Sequence, residues 1–175
     1  MNATHSQEYW YAYKVYYNKT AAIKLRAEQS GLRCFIPMRL VETEEAGKKV
    51  SREVPVIASL IFIRSDREYM ERIRKTPQSH VGVYCYPGTS TPAEISDREM
   101  ERFIFITTKG CRTLEAVDER IVRGDRVRIT GGTFAGAEGY ITRIHGTKRF
   151  VVVIEGVAAI ATTFIPRAYI EKIEK

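Results

Sequence analysis

The chain has 175 residues, of which 44% are hydrophobic and 28% charged, so composition excludes a disordered or collagen-like protein. Its longest nearly uninterrupted apolar stretch, residues 56–63, is far shorter than the roughly 20 residues that a membrane-spanning helix needs. The first residues resemble no export signal, and we therefore expect a cytoplasmic protein. The formal net charge of +7 favours a polyanionic partner such as nucleic acid.

The first predicted elements are a strand and a helix. Residues 9–17 are rich in aromatic and β-branched side chains, which predicts a first strand. Asn18 or Thr20 is predicted to cap the helix that follows, and Gly31 to end it. Trp10 lies near the start of this strand, where a packed position is more common than a surface anchor.

A charged hairpin and a central strand are predicted next. Residues 32–43 and 50–56 have strand-like patterns, and the polar segment 44–49 with its glycine predicts the turn between them. The continuous apolar run at residues 60–63 is typical of a strand covered on both faces. It should therefore lie inside a sheet.

Two further helices are indicated by Ser-x-x-Glu capping boxes, which begin at Ser65 and Ser96. Pro77 should follow the end of the first of these helices, and residues 81–86 alternate as a strand does. The order of elements predicts an α+β domain of the ferredoxin-like kind over residues 7–107, with an antiparallel sheet and helices on one side.

The remaining chain has a different pattern. Residues 108–121 show no sustained period and are predicted to be a solvated linker. Residues 122–175 contain short β segments separated by glycine-bearing turns, which predicts an all-β SH3-like barrel because closure removes exposed sheet edges.

The start of this region has a specific glycine spacing. A turn should lead into a strand with Val127 and Ile129 inward, and Phe134 should fold back as an apolar plug. The spacing resembles the KOW motif. The residues that fit the motif are Gly124, Asp125, Val127, Gly132, Phe134, Gly136 and Gly139. An unrelated glycine-rich hairpin is the alternative, whereas a phosphate-binding loop is rejected because no Gly-Lys-Ser/Thr follows.

A KOW barrel preceded by an α+β domain that opens on an aromatic strand resembles the NusG family of transcription elongation factors. The apolar strand at residues 60–63, the strand at 81–83 and the ending at 166–173 also match. One departure is that residues 56–60 lack the aromatic-Pro-Gly-Tyr approach usual in general NusG proteins. The chain therefore looks more like a specialised paralogue, and is most similar to the Bacteroides antiterminators encoded with capsular polysaccharide operons.

The resemblance implies a transcription antitermination factor with no catalytic residues. Its N-terminal domain would bind the clamp coiled coil of RNA polymerase and suppress pausing or premature termination. Alignment with the family places five residues at or near this contact, although strand residues are by default core. These residues are Lys14, Val15, Tyr16, Ile57 and Leu60.

The resemblance also implies other contacts. Lys19, Lys24 and Arg26 correspond to positions that contact non-template DNA in family paralogues, although a solvated helix face is the commoner explanation of such charges. The KOW barrel would bind the termination factor Rho, a ribosomal protein or nascent leader RNA. Its apolar residues Val151, Val153 and Ile160 could equally be core.

No cofactor or metal site is expected. The three cysteines contain no C-x-x-C pair, and His5, His80 and His145 have no ligand-like neighbours in sequence. We expect a monomer. The competing function is an RNA-binding or ribosome-associated KOW-domain protein, whose binding would be lost after ribonuclease treatment and would weaken steeply with salt.

Overall fold

A computed structural model describes residues 7–76 and 80–173. In chain order its elements are β1 (Glu8–Val15), α1 (Thr20–Gln29), β2 (Cys34–Phe35), β3 (Met38–Glu45), β4 (Lys48–Pro55), β5 (Leu60–Asp66), α2 (Arg67–Lys75), β6 (Val81–Val83), α3 (Asp97–Lys109), β7 (Glu115–Val117), β8 (Arg126–Ile129), β9 (Glu138–Ile144), β10 (Thr147–Ile154), β11 (Ala158–Ala161) and β12 (Ile170–Lys172). The fold is therefore a mixed α/β fold with antiparallel sheets.

The chain divides into two compact units. Unit 1 comprises residues 1–36 and 58–100, and unit 2 comprises residues 37–57 and 101–175. The division places the hairpin of β3 and β4 in unit 2 and falls within α3 after Met100. The domain boundaries drawn from the sequence remain a prediction.

Unit 1 contains a four-stranded sheet in the order β2-β5-β1-β6. β1 pairs with β5 in antiparallel register, with Tyr13 opposite Ile61, and β6 pairs with the other edge of β1. The side chains of Leu60, Ile61, Phe62 and Ile63 are fully buried. The prediction that this run forms an interior strand is confirmed.

The two faces of this sheet contact different helices. Tyr11, Tyr13 and Val15 alternate along β1 and pack in one apolar cluster with α1 and α2. Trp10 projects to the opposite face, where its indole donates a hydrogen bond to Asp97, the first residue of α3. The expectation of helices on one side is therefore wrong, because α3 begins on the other face. Trp10 is buried, as predicted.

Several predicted boundaries differ from the structure. Lys19 occupies the N-cap of α1 and makes no side-chain cap bond, so neither proposed capping residue caps this helix. α2 is capped by Asp66, whose Oδ1 accepts from the backbone N–H of Tyr69 at 2.7 Å. Ser65 is instead a buried strand residue, so the N-cap lies one position later than predicted and the motif there is not a capping box. Pro77 lies outside the described residues.

The third helix starts as expected. The hydroxyl of Ser96 accepts a hydrogen bond from the backbone N–H of Glu99 at 3.2 Å, which is the first half of a capping box. Met100 and Phe103 are fully buried along one side of the helix. The predicted second strand is divided at Pro37 into β2 and β3 because proline lacks the N–H that a continuous ladder needs.

Unit 2 contains the β3–β4 hairpin and a six-stranded antiparallel sheet in the order β12-β8-β9-β10-β11-β7. Val127 and Ile129 are buried, whereas Arg126 and Arg128 face solvent, as the alternation predicts. β7 lies in the segment that the sequence indicated as an irregular connection, and pairs with β11. Among the described residues, no helix is long and apolar enough to cross a membrane.

Candidate functional site

Unit 1 exposes aromatic and basic side chains where β1 ends beside the edge strand β6. We call this the Tyr16 surface and define it by Lys14, Tyr16, Tyr17, His80 and Tyr84. Tyr16 is 46% exposed and Tyr17 is 79% exposed. Large apolar side chains at such exposure are common at sites of protein contact, where tyrosine is enriched.

Short contacts hold Tyr16 in place. Its backbone N–H donates to the carbonyl oxygen of His80 at 2.9 Å. Its ring lies over Gly82, where an added Cβ would come within 3.5 Å of the phenol oxygen. The ammonium of Lys14 lies 5.7 Å from the centroid of the same ring. The surface therefore offers a cation and an aromatic ring side by side.

The backbone at this surface is strained. Tyr17, Asn18 and His80 have φ angles of 56°, 55° and 55°. The left-handed region costs a residue with a Cβ roughly 1–2 kcal/mol, and asparagine tolerates it better than tyrosine or histidine. The rings of Tyr17 and His80 meet edge to face, with centroids 5.1 Å apart. Strain of this kind is concentrated at functional sites.

The five residues predicted to contact polymerase lie in different environments. Lys14 and Tyr16 are exposed neighbours on the Tyr16 surface. Val15 and Leu60 are buried, and the N–H of Val15 donates to the carbonyl oxygen of Ser59 at 2.7 Å. Ile57 is half-buried and belongs to unit 2. Of the four predicted contact residues that lie in unit 1, Lys14 and Tyr16 present their side chains to solvent.

The predicted nucleic-acid contacts are on or beside α1. Lys19 and Arg26 are exposed. Lys24 is half-buried and forms an ion pair with Glu28 one turn later, with Nζ 3.6 Å from Oε1. Part of its charge is therefore already neutralised within the helix.

The glycine-rich segment builds a tight part of the unit 2 sheet. Phe134 is buried with its ring centroid 6.1 Å from that of Phe150, so it has the predicted position of an apolar plug. Gly139 lies against β10, and a Cβ added there would lie 2.5 Å from the carbonyl oxygen of Val151. The ring of Tyr169 packs over Gly131, where an added Cβ would lie 2.7 Å from Cδ1 of the ring.

The described residues include few candidates for metal or nucleophilic chemistry. Within residues 7–76 and 80–173, no three His, Cys, Asp or Glu side chains are grouped as metal ligands. Burial raises the pKa of the Cys34 thiol to about 11, which leaves it protonated and poorly nucleophilic. Burial, followed by the nearby Tyr16 phenol, raises the pKa of Tyr84, so its hydroxyl stays neutral. His145 is exposed beside Glu115, and His5 lies outside the described part of the chain.

Sequence reasoning missed three members of the Tyr16 surface. Tyr17 ends the segment predicted as the first strand, His80 has no ligand-like neighbours in sequence, and Tyr84 is one of several alternating strand residues. For Tyr17, the available signal was its position between Tyr16 and Asn18. Asparagine tolerates left-handed turns, so the strand could be expected to end at these residues. His80 is brought to the site only by the pairing of β6 with β1.

Comparison with known proteins agrees with this architecture. The NusG family model, described as "Transcription termination factor nusG", matches residues 8–104, which is more than half of the chain. The transcription termination/antitermination protein NusG of Deinococcus radiodurans is 28% identical over 131 residues, covering 65% of this chain and 66% of that protein. The protein of the same name from Lactococcus lactis is 29% identical over 119 residues, covering 67% of this chain and 63% of that protein.

The chain thus spans just under two thirds of the length of these two relatives. The family match itself covers β1 to the middle of α3, including the whole of the Tyr16 surface. The chain belongs to the NusG family of transcription termination and antitermination factors.

Proposed function

We propose that this protein binds RNA polymerase through the Tyr16 surface and acts as a transcription elongation and antitermination factor. The observation that carries the proposal is the exposed, strained aromatic cluster at the end of β1, within the part of the chain that matches the family. Burying Tyr16 and Tyr17 against a partner would remove a large apolar area from water. The clamp coiled coil is the docking element that we assign to it.

The buried and exposed residues have different roles in this proposal. Lys14 and Tyr16 contact the polymerase directly. Val15 and Leu60 fix the position of β1 beneath them, since Leu60 is opposite Lys14 in the strand register. Ile57 is a further contact from unit 2.

The proposed action requires binding free energy and no bond chemistry. A factor that binds the elongating state of the polymerase more tightly than the paused state shifts the population toward elongation, by no more than its differential affinity. A preference of about 1.4 kcal/mol would change the ratio of the two states tenfold.

Basic residues of α1 supply a second contact in the proposal. Lys19 and Arg26 bind phosphates of the exposed non-template DNA strand. Lys24 contributes less because it forms an ion pair with Glu28. Their removal should weaken binding to complexes that contain DNA and reduce the dependence of that binding on salt.

Residues 122–175 form, in this proposal, an SH3-like KOW barrel that recruits a second protein such as Rho or a ribosomal protein. The antiparallel order of β8 to β12 and the buried Phe134 support it. We further propose a specialised paralogue that acts on a polysaccharide operon, because residues 56–60 depart from the general pattern. Transcription of such an operon with and without the gene tests this last point.

Retention on immobilised core RNA polymerase after nuclease treatment tests the main proposal. The wild-type chain should be retained at micromolar concentration, and Tyr16→Asp should lower retention at least ~tenfold, because a carboxylate replaces an apolar anchor. Leu25→Asp is the matched control. Leu25 is also a large exposed apolar residue of unit 1, but it lies on α1.

Two outcomes would contradict the proposal. Wild-type protein that elutes with ribonuclease would favour the RNA-binding alternative. Equal losses in Tyr16→Asp and Leu25→Asp would place the docking surface elsewhere. Circular dichroism of both variants checks that they remain folded.

A further inference from the structure

A groove of about 460 Å³ opens on the six-stranded sheet of unit 2. Its walls come from the neighbouring strands β12, β8, β9 and β10 and from the segment between β11 and β12. The volume lies within the ~300–1,000 Å³ typical of ligand-binding clefts. None of its lining residues belongs to the Tyr16 surface.

The floor of the groove is aliphatic. Val127 and Ile165 are buried at its base, and Ile141 and Ile170 are half-buried along its sides. Phe164 stands at the edge with 58% of its surface exposed. An exposed phenylalanine beside an apolar floor is unfavourable in water, and an apolar side chain placed in the groove would cover both.

The rim of the groove is mainly cationic. Lys148, Arg167 and Lys172 line it together with a single acidic residue, Asp125. The ammonium of Lys172 lies 2.8 Å from Oδ2 of Asp125, so this carboxylate is already paired. Lys148 and Arg167 are exposed on the same rim. The charges that face an incoming ligand are therefore positive.

These features fit a peptide better than a nucleic acid. Single-stranded nucleic acids bind on platforms of several aromatic rings, whereas Phe164 is the one aromatic residue among those that line this groove. The other apolar lining residues are valine and isoleucine, which complement aliphatic or aromatic side chains of a protein.

We propose that this groove binds an acidic peptide segment of a partner protein, with one or two large apolar side chains inserted on the floor and flanking carboxylates on Lys148 and Arg167. The inference rests on the part of the proposed function that gives the C-terminal sheet a second partner, and it assigns a place and a chemistry to that contact. It is independent of the polymerase contact of unit 1.

The test uses the full chain and a fluorescein-labelled peptide of sequence Asp-Glu-Glu-Leu-Phe-Glu-Asp. Fluorescence anisotropy should show saturable binding at micromolar concentration. The double variant Lys148→Glu, Arg167→Glu should weaken binding at least ~tenfold, because two attractive charges become repulsive. Phe164→Ala should weaken it about fivefold. Leu25→Ala is the matched control, since Leu25 is 57% exposed, and should leave binding unchanged.

Four results would overturn the inference. One is the absence of saturable binding by the wild-type chain. A second is equal binding of a peptide in which lysine replaces every acidic residue. The third is preferential binding of a twelve-nucleotide oligouridylate, with the same loss in the groove variants. Amide shifts in a ¹⁵N NMR titration must also fall on Ile141 and Ile170, and shifts confined to other residues would contradict the site.

The peptide-binding test and the polymerase-retention test can fail independently of each other. Groove variants should retain wild-type binding to immobilised RNA polymerase, and Tyr16→Asp should retain wild-type binding to the peptide. A chain that is retained by polymerase but does not bind the peptide would reject the groove alone. A chain that binds the peptide but is not retained would reject the polymerase contact alone.

Discussion

The indole Nε1 of Trp10 donates a hydrogen bond of 2.9 Å to Oδ1 of Asp97, which lies 87 positions later in the chain. The same carboxylate accepts from Nε of Arg64 at 2.8 Å and from Nη2 of Arg64 at 3.0 Å. Asp97 therefore connects β1, β5 and the start of α3 through one side chain. Its position at the helix N-terminus is also favourable for a negative charge.

Asp97→Asn should lower the free energy of unfolding at pH 7 by about 1 kcal/mol, because charge-assisted hydrogen bonds become neutral ones. The hydrogen bonds from Arg64, opposed by burial and assisted by Trp10, hold the pKa of Asp97 below its ordinary value. Because the pKa of Asp97 is lower in the folded than in the unfolded protein, its ionised form stabilises the fold. This stabilisation is fully present at pH values above the unfolded-state pKa of about 3.9, and it is lost as the pH falls through the folded-state pKa.

The difference between wild type and Asp97→Asn in urea unfolding should therefore shrink as the pH is lowered from 7 to 3. A difference that stays constant over this range would show that the charge of Asp97 does not contribute. Glu171→Gln, at an exposed position of β12, is the control for the loss of one carboxylate and should match wild type at pH 7.

The sequence predicted the elements of unit 1 better than the contacts between them. Burial of the whole run 60–63 follows from its continuous apolar character, and the start of α3 follows from the hydroxyl of Ser96. The bond between Trp10 and Asp97 depends on tertiary folding, and nothing in local spacing indicates it. The same holds for the site, since Lys14 and Tyr16 were predicted but His80 is joined to them only by strand pairing.

Thr142→Val should raise the free energy of unfolding by about 1 kcal/mol. Oγ1 of Thr142 is buried in β9 and has no hydrogen-bond partner within the described residues. A buried hydroxyl without a partner costs roughly 1–3 kcal/mol, and valine has nearly the same shape without that cost. Chemical denaturation at pH 7 measures the change.

Thr162→Val provides the matched control for this substitution. Thr162 is also buried, but its hydroxyl donates to the carbonyl oxygen of Phe150 at 3.1 Å. The same change should therefore destabilise the protein by about 1 kcal/mol. Opposite signs for the two variants are expected, and a loss of stability in both would contradict the assignment for Thr142.

β7 lies within residues 108–121, which show no sustained period in the sequence. Its three residues are too few for a periodic pattern. They pair with β11, and the side chain of Arg149 on β10 contacts both Glu115 of β7 and Thr162, which follows β11. The Arg149 guanidinium donates to the carbonyl oxygens of Thr113 and Thr162, both at 2.6 Å, and forms an ion pair with Glu115. Contacts between such distant positions cannot be read from the composition of the segment.

Arg149→Lys should expose β7 to solvent exchange and lower stability by about 2 kcal/mol. A lysine ammonium lacks the planar fork that bonds three acceptors at once, and a buried acceptor that loses its donor costs roughly 1–3 kcal/mol. Hydrogen exchange should accelerate at residues 115–117 more than in β9. Arg143→Lys, an exposed position on β9, should leave the exchange rates unchanged.

Gly139→Ala should be the most destabilising of these substitutions, at about 3 kcal/mol. An added Cβ would lie 2.5 Å from the carbonyl oxygen of Val151 and 2.7 Å from Cε2 of Phe150, closer than any real contact. Backbone cannot yield as a flexible side chain can, so β9 and β10 would have to separate at this point. Thermal unfolding and the near-ultraviolet circular dichroism of the aromatic residues measure the effect.

Gly136→Ala distinguishes this steric effect from the backbone preference of glycine. Gly136 has a φ of 84°, and no atom lies within 4 Å of an added Cβ. Alanine at this position should therefore lower the free energy of unfolding only through its left-handed backbone conformation, by about 1 kcal/mol. The two variants should therefore differ by about 2 kcal/mol. Equal losses would mean that β9 and β10 are not packed as closely as the distances between Gly139, Phe150 and Val151 require.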